Sequence, residues 1–254
     1  MIKLRQIAVP TIAMITFLAL WEALVWINGW PNYKMASPSD LVPAFTRYWE
    51  LFLIMGWQTL WRTVVGLLIA IVFGTMVGMI MGFSRTMRDA LYPLLVGFNA
   101  VPKATVVPIV ALMFVGAHDF NTVLIAFMIS FFPIAVSVSI GLSTLEPEYR
   151  DILRSLGASQ TTIFWKIALP KTLPEFFGAL KVAVTLAFIG TNLMEIVSPH
   201  GRGLGALFDS GKTNSDYPLM FAVLIALAFL GIVLYYVVVA LEKIFAGWAE
   251  RPAG

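Results

Sequence analysis

The feature that most limits how this chain can fold is a series of apolar runs, each long enough to cross a lipid bilayer. A helix needs about 20 mainly apolar residues to span the hydrocarbon core. The chain has 254 residues, of which 59% are hydrophobic and 12% are charged, whereas soluble domains carry about 25% charged residues. Backbone groups in lipid must bond within their own segment, so these runs predict helices. We expect six spans, at about residues 7–27, 60–83, 91–115, 122–142, 176–197 and 219–241.

The first run resembles a signal peptide only in part. Lys3 and Arg5 precede it, as basic residues precede a signal peptide. Its apolar stretch is too long, however, and no cleavage site with small residues follows. We therefore expect it to be retained as the first spanning helix, which makes residues 1–254 a single transmembrane domain.

A short amphipathic helix is predicted between the first two spans. Pro38, Ser39 and Asp40 provide a helix start. Leu41, Phe45, Tyr48 and Leu51 then recur at helical spacing, so we expect a capped helix that lies along the membrane surface.

Basic residues in the predicted loops indicate the orientation. Ten lie on one face and five on the other, and the richer face is cytoplasmic by the positive-inside rule. Both termini and the loop at about residues 143–175 are therefore predicted to be cytoplasmic. The ten are Lys3, Arg5, Arg85, Arg88, Arg150, Arg154, Lys166, Lys171, Lys243 and Arg251, and the five are Lys34, Arg47, Arg62, Arg202 and Lys212.

Composition and motifs exclude several kinds of chemistry. The chain has no cysteine, and its two histidines, His118 and His200, are far apart, so no metal site is expected. No nucleophile or acid–base pair converges, so no catalytic residue is assigned. The net charge of +3 is explained by loop cations and does not indicate nucleic acid. Residues 210–213, Ser-Gly-Lys-Thr, end like a phosphate-binding loop, but Ala206 stands where that loop needs its first glycine.

The polar loop at residues 143–175 is predicted to contain two short helices. Apolar residues in 148–159 recur at helical spacing among charged ones, which favours an amphipathic helix. Gly157 permits a sharp turn that other residues disfavour. A second helix through Ile163, Phe164 and Ile167 is expected to end before Pro170, because proline restricts the residue before it.

This loop resembles the cytoplasmic coupling loop of bacterial ABC-importer permeases. Their pattern is Glu-Ala-Ala, three residues, Gly, nine residues, then Ile-x-Leu-Pro. Residues 151–153, Asp-Ile-Leu, stand where Glu-Ala-Ala is usual, and Gly157, Ile167, Leu169 and Pro170 match the spacing.

The resemblance extends over about residues 7–248. It includes residues 36–39 (Ala-Ser-Pro-Ser), the proline-rich third span at 101–116, the stretch 131–142 in the fourth span, and IGTNLMEI followed by GRGLG. These stretches are similar to permeases of the group that takes up nitrate, sulfonate, taurine and thiamine-pyrimidine or riboflavin.

The resemblance implies an all-α, type I ABC-importer permease fold in the bacterial inner membrane, and a transport function. The expected partners are a second copy of the chain, two ATPase subunits that bind ATP and Mg²⁺, a periplasmic or lipid-anchored binding protein, and membrane lipid. This chain is expected to hold no cofactor. The substrate would be a small anion or a vitamin-related heterocycle. The residues expected to couple to the ATPase are Glu148, Arg150, Asp151, Ile152, Leu153, Arg154, Leu156, Gly157, Ala158, Ser159, Ile167, Leu169 and Pro170.

Two other classes remain as alternatives at this point. A stand-alone secondary carrier or channel would carry more intramembrane ionisable residues, often with inverted repeats, and no clear repeat is found. A membrane-embedded enzyme would need a catalytic set, which the sequence lacks.

Polar residues within the spans are candidates for the translocation path. Glu195 near the end of the fifth span either lines or gates the path, or pairs structurally, for example with Arg202. Lys103 either attracts an anionic substrate, or snorkels or pairs with an acidic side chain. Further polar candidates, each equally consistent with an interhelical hydrogen bond, are Asn99, Ser130, Ser137 and Asn192.

Small residues in the second span predict close helix packing. Gly66, Gly74, Gly78 and Gly82 are spaced by four or eight residues and share one stripe, which lets a neighbouring backbone approach. Glu22 in the first span is expected to make an interhelical hydrogen bond.

Overall fold

The computed structural model describes residues 2–143, 155–157, 159–198 and 201–250, and it contains no strand among them. A π-helical turn, Phe164–Ala168, and a 3-10 turn, Gly247–Glu250, accompany the α-helices. The α-helices are α1 (Ile2–Asn28), α2 (Pro38–Arg47), α3 (Trp49–Phe83), α4 (Arg85–Ala100), α5 (Lys103–Met113), α6 (His118–Ser143), α7 (Gln160–Ile163), α8 (Leu169–Val197), α9 (Leu204–Thr213) and α10 (Tyr217–Phe245).

Five of the six predicted spans are confirmed as long apolar helices, and the third is broken. The five are α1, α3, α6, α8 with its preceding π-turn, and α10. The expected third span is instead the pair α4 and α5, which meet at an angle of 85°. Val101 and Pro102 both have extended backbones, with ψ of 127° and 110°. Because a residue before proline is pushed out of the helical region, the helix breaks there.

The core of the bundle lies between α3, α6 and α8. The predicted glycine stripe of α3 is confirmed as a packing surface. A Cβ added at Gly66 would lie 2.6 Å from Ala126 Cβ, and one at Gly78 would lie 2.7 Å from Ala135 O. Gly74 and Gly82 meet Ile134 and Leu142 in the same way. Helices α3 and α6 therefore approach so closely that there is no room for a side chain at these four positions.

The helix predicted between the first two spans is present as α2, with different bounds at its end. Asp40 Oδ2 accepts hydrogen bonds from Ser37 N and Oγ at the helix start. The helix ends at Arg47, and Leu51 belongs to α3, which begins eleven residues earlier than the apolar run suggested. The Glu22 carboxylate of α1 accepts from Ser39 N at 3.0 Å and Ser39 Oγ at 2.8 Å, which confirms the expected interhelical hydrogen bond.

Candidate functional site

The candidate residues gather at the two ends of α8. We call the region of Leu156, Gly157 and the start of α8 the coupling end. The network end is the region of Glu195 and Arg62. Since a helix rises about 1.5 Å per residue, these ends lie about 40 Å apart.

At the coupling end, Gly157 forms a turn that depends on its backbone conformation. Its φ is +83°, in the region that favours glycine, and a Cβ added there would meet no atom within 4 Å. The preceding Leu156 side chain is 78% exposed. Ser159 Oγ then accepts from Thr162 N at 3.1 Å, which caps the start of α7. The sharp turn predicted at Gly157 is confirmed, and it leaves the apolar side chain of Leu156 exposed.

Most of the first half of the predicted coupling loop lies outside the described residues. The amphipathic helix expected over residues 148–159 falls largely outside the described residues. The candidates that lie outside them are Glu148, Arg150, Asp151, Ile152, Leu153, Arg154 and Ala158.

The prediction that a second short helix ends before Pro170 is wrong. Helix α7 continues through the π-turn directly into α8, so Pro170 lies in the first turn of α8. Proline is tolerated there because the π-turn, whose hydrogen bonds run from i to i+5, already interrupts the α-helical hydrogen-bond ladder just before it. Ala168 is buried in the core between α3, α6 and α8, and Ile167 packs against it. The coupling end is thus continuous with a membrane-spanning helix.

Glu195, in the last turn of α8, is the centre of a buried polar network. Its side chain is 1% exposed. Its carboxylate accepts from Thr59 Oγ1 at 2.8 Å, Gly205 N at 3.0 Å and Arg62 Nη1 at 3.2 Å. A carboxylate buried in a membrane protein is costly unless charged and hydrogen-bonding partners surround it. Here those partners come from α3 and from the start of α9.

Arg62 is the ion-pair partner of Glu195, and the interpretation of Arg62 as a loop cation is wrong. The residue lies within α3 with its guanidinium buried. It also pairs with Asp119 in the first turn of α6, at 2.6 Å, and donates to the carbonyl oxygen of Arg202. Arg202 therefore takes part through its backbone, not as the salt-bridge partner proposed for Glu195. A charge inside an apolar run is costly, and this criterion singles out Glu195 in the sequence. The same criterion identifies Arg62, which also lies within an apolar run.

Two glycines make room for the Glu195 carboxylate. Gly203 has φ of +116°, and a Cβ there would overlap the carboxylate of Glu195. A Cβ at Gly205 would lie 2.7 Å from Glu195 Cβ. The Gly-Arg-Gly-Leu-Gly stretch is therefore a close-fitting cover over a buried charge.

Lys103 has a local partner rather than an acidic one. Its Nζ donates to Phe98 O at 2.7 Å and Asn99 O at 3.1 Å, and it lies 5.0 Å from the Phe98 ring centroid. These carbonyls end α4, where Pro102 prevents the helix from continuing. The lysine thus caps the helix break, and a cation at a helix C-terminus is favourable. The side chain of Asn99 is exposed.

The remaining polar candidates make hydrogen bonds within the bundle. Ser130 Oγ donates to Ala126 O of its own helix, and Ser137 Oγ donates to Glu175 O of α8. Asn192 Nδ2 donates to Phe188 O, while its buried Oδ1 has no partner among the described residues.

A cavity of about 410 Å³ opens near the network end, between the end of α5, the start of α6 and the end of α8. Leu112, Val115 and Val197 contribute apolar wall, and His118, Asn121 and Ser198 contribute polar groups. His118 Nδ1 and Ser198 Oγ lie 2.6 Å apart. The sequence interpretation had assigned no role to these three polar residues.

Two further features concern bound ligands. Residues 210–213 form the last turn of α9, where the carbonyls of Ser210, Gly211 and Lys212 accept from the backbone amides that follow, whereas a phosphate loop presents free amide groups at a helix start. In the part of the chain that the structure describes, no three His, Asp or Glu side chains are grouped as a metal ion would require.

Comparison with known proteins gives a match over most of the chain. The family described as binding-protein-dependent transport system inner membrane component matches residues 66–249. The formylaminopyrimidine transport permease protein ThiX of Halalkalibacterium halodurans is 30% identical, over 95% of this chain and 96% of the relative. The riboflavin transport system permease protein RibX of Chloroflexus aurantiacus is 30% identical, over 93% and 88%. The taurine transport system permease protein TauC of Escherichia coli is 25% identical, over 96% and 90%.

A solved structure has the same fold. The MetNI methionine ABC transporter, in inward-facing conformations, contains a chain that matches with a TM-score of 0.64 at 19% identity. The match covers 79% of this chain and 98% of the other.

Proposed function

The chain belongs to the binding-protein-dependent transport system inner membrane component family, and from this membership we propose that it forms the translocation path of an importer powered by ATP hydrolysis in a partner chain. It is a multi-pass membrane protein and a permease subunit of an ABC importer. The observation that carries the proposal is the match over 95% of the chain to a transport permease. The fold shared with a chain of the MetNI transporter is consistent with it. The alternative of a stand-alone carrier or channel has no comparable support.

The segment from residue 148 to Pro170 is proposed to contact the ATPase. The exposed Leu156 beside the Gly157 turn supports a contact surface that projects away from the helical bundle. The continuity of α7, the π-turn and α8 supports mechanical transmission, because movement of the contact surface would move a spanning helix directly. The proposed contacts from the described part are Leu156, Gly157, Ser159, Ile167, Leu169 and Pro170, and Glu148, Arg150, Asp151, Ile152, Leu153, Arg154 and Ala158 are proposed with them.

The assembly is proposed to contain two copies of this chain, two ATPase subunits with ATP and Mg²⁺, and a separate binding protein. One coupling segment per chain, set against two ATP sites, supports the homodimer. Both termini are proposed to be cytoplasmic, and the network end is proposed to lie on the opposite side of the membrane. Both proposals follow from the distribution of loop cations.

The substrate is proposed to be a vitamin-related heterocycle rather than a small anion. Two relatives at 30% identity are named for formylaminopyrimidine and riboflavin, whereas the taurine permease is 25% identical. Lys103, the cation considered for an anionic substrate, is engaged by two backbone carbonyls. Nitrate or a sulfonate is the second candidate, and it has less support.

The test is reconstitution of the chain with its ATPase and binding protein in proteoliposomes. Uptake of substrate should need ATP and all three proteins. Uptake by the lone chain without ATP would contradict the proposal.

Two variants at one position test the coupling segment. Gly157→Val should abolish uptake and substrate-stimulated ATP hydrolysis while the chain still inserts, because valine disfavours positive φ. Gly157→Asn is the matched control, since asparagine tolerates that conformation, and it should retain most activity. Unchanged ATPase stimulation in Gly157→Val would contradict a coupling role.

A further inference from the structure

A small cavity of about 140 Å³ lies beneath the first two turns of α8, at the coupling end. Each residue of its lining is buried or half-buried, and Val138, Leu142 and Thr172 are 4%, 3% and 3% exposed. An apolar cavity of roughly 150 Å³ excludes water and admits one benzene ring. Such a void is unfavourable, because its walls lose dispersion contacts. The lining residues are Thr75 and Met79 of α3, Val138 and Leu142 of α6, and Leu169, Thr172, Leu173 and Phe176 of α8.

The helix above this cavity is interrupted three times between residues 164 and 174. In the π-turn Phe164–Ala168 the backbone hydrogen bonds join residues five apart instead of four. Pro170 and Pro174 then have no amide proton to donate to the carbonyl oxygens of Lys166 and Pro170. Helices bend at prolines and at π-turns. We therefore call residues 164–174 the joint.

Beyond the joint, α8 is held by the end of α10. The rings of Phe177 and Phe245 stack with their centroids 6.4 Å apart. Lys181 Nζ donates to Glu242 Oε2 at 2.7 Å, and the two side chains are 25% and 12% exposed. Charged side chains within a membrane are costly to separate from their partners. Helix α8 is therefore fixed from Phe177 onward, and the joint is where it can bend.

A close contact between α6 and the joint sets the direction of bending. Gly141 lets α6 approach Thr172, since a Cβ added at Gly141 would lie 2.5 Å from Thr172 Cγ2. The first turns of α8 cannot move closer to α6 at that point. The cavity leaves room on the other side, beside Thr75 and Met79 of α3. Bending at the joint would carry Leu173 toward Thr75 and close the cavity.

We propose that the joint lets the first two turns of α8 rock between two packings, and that the tilted packing closes the cavity when ATP binding moves the segment that contacts the ATPase. Closing the cavity recovers dispersion contacts, whereas bending the helix costs backbone hydrogen bonds. The two packings can therefore lie close in free energy, as a bistable element requires. The inference rests on the proposed coupling to an ATPase, and it adds which part of α8 moves and the space it moves into.

Filling the cavity from its fixed wall tests the proposal. Thr75→Phe places a ring in the cavity, because Thr75 lines it from α3 and the volume admits a ring. Met76→Phe is the matched control, since Met76 is the next residue of α3 and is 54% exposed. Each variant is assembled with its ATPase and binding protein in lipid nanodiscs. ATP hydrolysis by the complex and thermal stability of the chain in detergent are measured.

Thr75→Phe should be at least as stable as the natural chain, as cavity-filling changes commonly are. It should nevertheless hydrolyse ATP about tenfold more slowly, because the tilted packing is then overpacked. Adding Leu173→Ala makes room on the opposite wall and should restore most of the hydrolysis. Met76→Phe should match the natural chain in both measurements. Full hydrolysis by a stable Thr75→Phe protein, or an equal loss in Met76→Phe, would overturn the proposal.

A distance measurement tests the bend without filling the cavity, and it remains decisive if Thr75→Phe does not fold. The natural chain has no cysteine, so pairs of cysteines can be spin-labelled. Thr162→Cys before the joint and Val182→Cys beyond it are each paired with Ile244→Cys on α10, and all three positions are exposed. Labelled chains are diluted with unlabelled ones, so that one copy in each assembly carries the labels.

A non-hydrolysable ATP analogue with Mg²⁺ should change the distance between the labels at Thr162 and Ile244 and leave the distance between those at Val182 and Ile244 unchanged. Two unchanged distances, or equal changes in both, would overturn the joint. Absence of ATP hydrolysis by the natural complex would instead contradict the proposed function, so the two failures are distinguishable.

Discussion

At the network end of α8 a carboxylate and a guanidinium are buried together, whereas at the coupling end a glycine turn leaves Leu156 exposed. Both ends use a glycine with positive φ, but for different reasons. Gly203 is required by its neighbour, because any Cβ would overlap Glu195. Gly157 is required by its backbone alone, since the space around it is open. One end is therefore a close-packed anchor, and the other is an exposed turn, which we propose contacts the ATPase.

The largest expected effect comes from breaking the anchor at Arg62. Arg62→Met leaves Glu195 buried without its cation, and removing one partner of a buried ion pair costs about 3–5 kcal/mol. The free energy of unfolding in detergent measures this loss. Adding Glu195→Gln should restore part of it, because the unpaired charge is then gone. A single variant as stable as the natural chain would show that the network is not an anchor.

Alanine at the two positive-φ glycines separates their roles. Gly203→Ala should be less stable than Gly157→Ala by at least about 1–3 kcal/mol, the cost of overpacking, since both variants place alanine at a positive φ and only the one at Gly203 also overlaps Glu195. Denaturant unfolding of the two variants side by side gives the difference. Equal stabilities would remove the distinction between the two ends.

Glu195→Gln alone asks whether the anchor also serves transport. Glutamine retains one acceptor oxygen for Thr59 or Gly205, and Arg62 keeps Asp119. Stability should therefore fall by only about 1–2 kcal/mol. ATP-dependent uptake per folded transporter should be unchanged if the role is structural. A reduced turnover in fully folded protein would instead assign Glu195 to the translocation path.

The smallest effect is expected at Lys103, which belongs to neither end. Lys103→Met removes a cation that caps the α4 carbonyls, a contribution of about 0.3–1 kcal/mol. The KM for uptake should not change. A large increase in KM would revive its role in attracting an anionic substrate.

The sequence predicted the spanning helices well, because an apolar run and a glycine stripe are local patterns. It also predicted the turn at Gly157, which depends on one residue. The third span was predicted as continuous because hydropathy depends only on how apolar the residues are. It carries no information about the bend between α4 and α5 that Pro102 causes.

The network end was harder to predict because its partners are distant in the chain. Arg62 and Glu195 are 133 residues apart, and nothing local links them. The role of Gly203 follows only from the position of that carboxylate. The prediction at Pro170 was wrong for a different reason. Proline is common both just after the end of a helix and in the first turn of one, and the sequence does not show the π-turn that joins α7 to α8 here.

The ion pair at the network end also limits how far the chain can be truncated from its N-terminal side. The family match begins at residue 66, which invites truncation there to obtain a minimal domain. Thr59 and Arg62 lie before that point, while Asp119, Glu195 and Gly205 lie after it. A fragment starting at residue 66 would keep the buried carboxylate and discard both its cation and its hydroxyl donor. The region that the family model matches is therefore smaller than the unit that holds this ion pair together, and expression of any shortened form should retain the whole of α3.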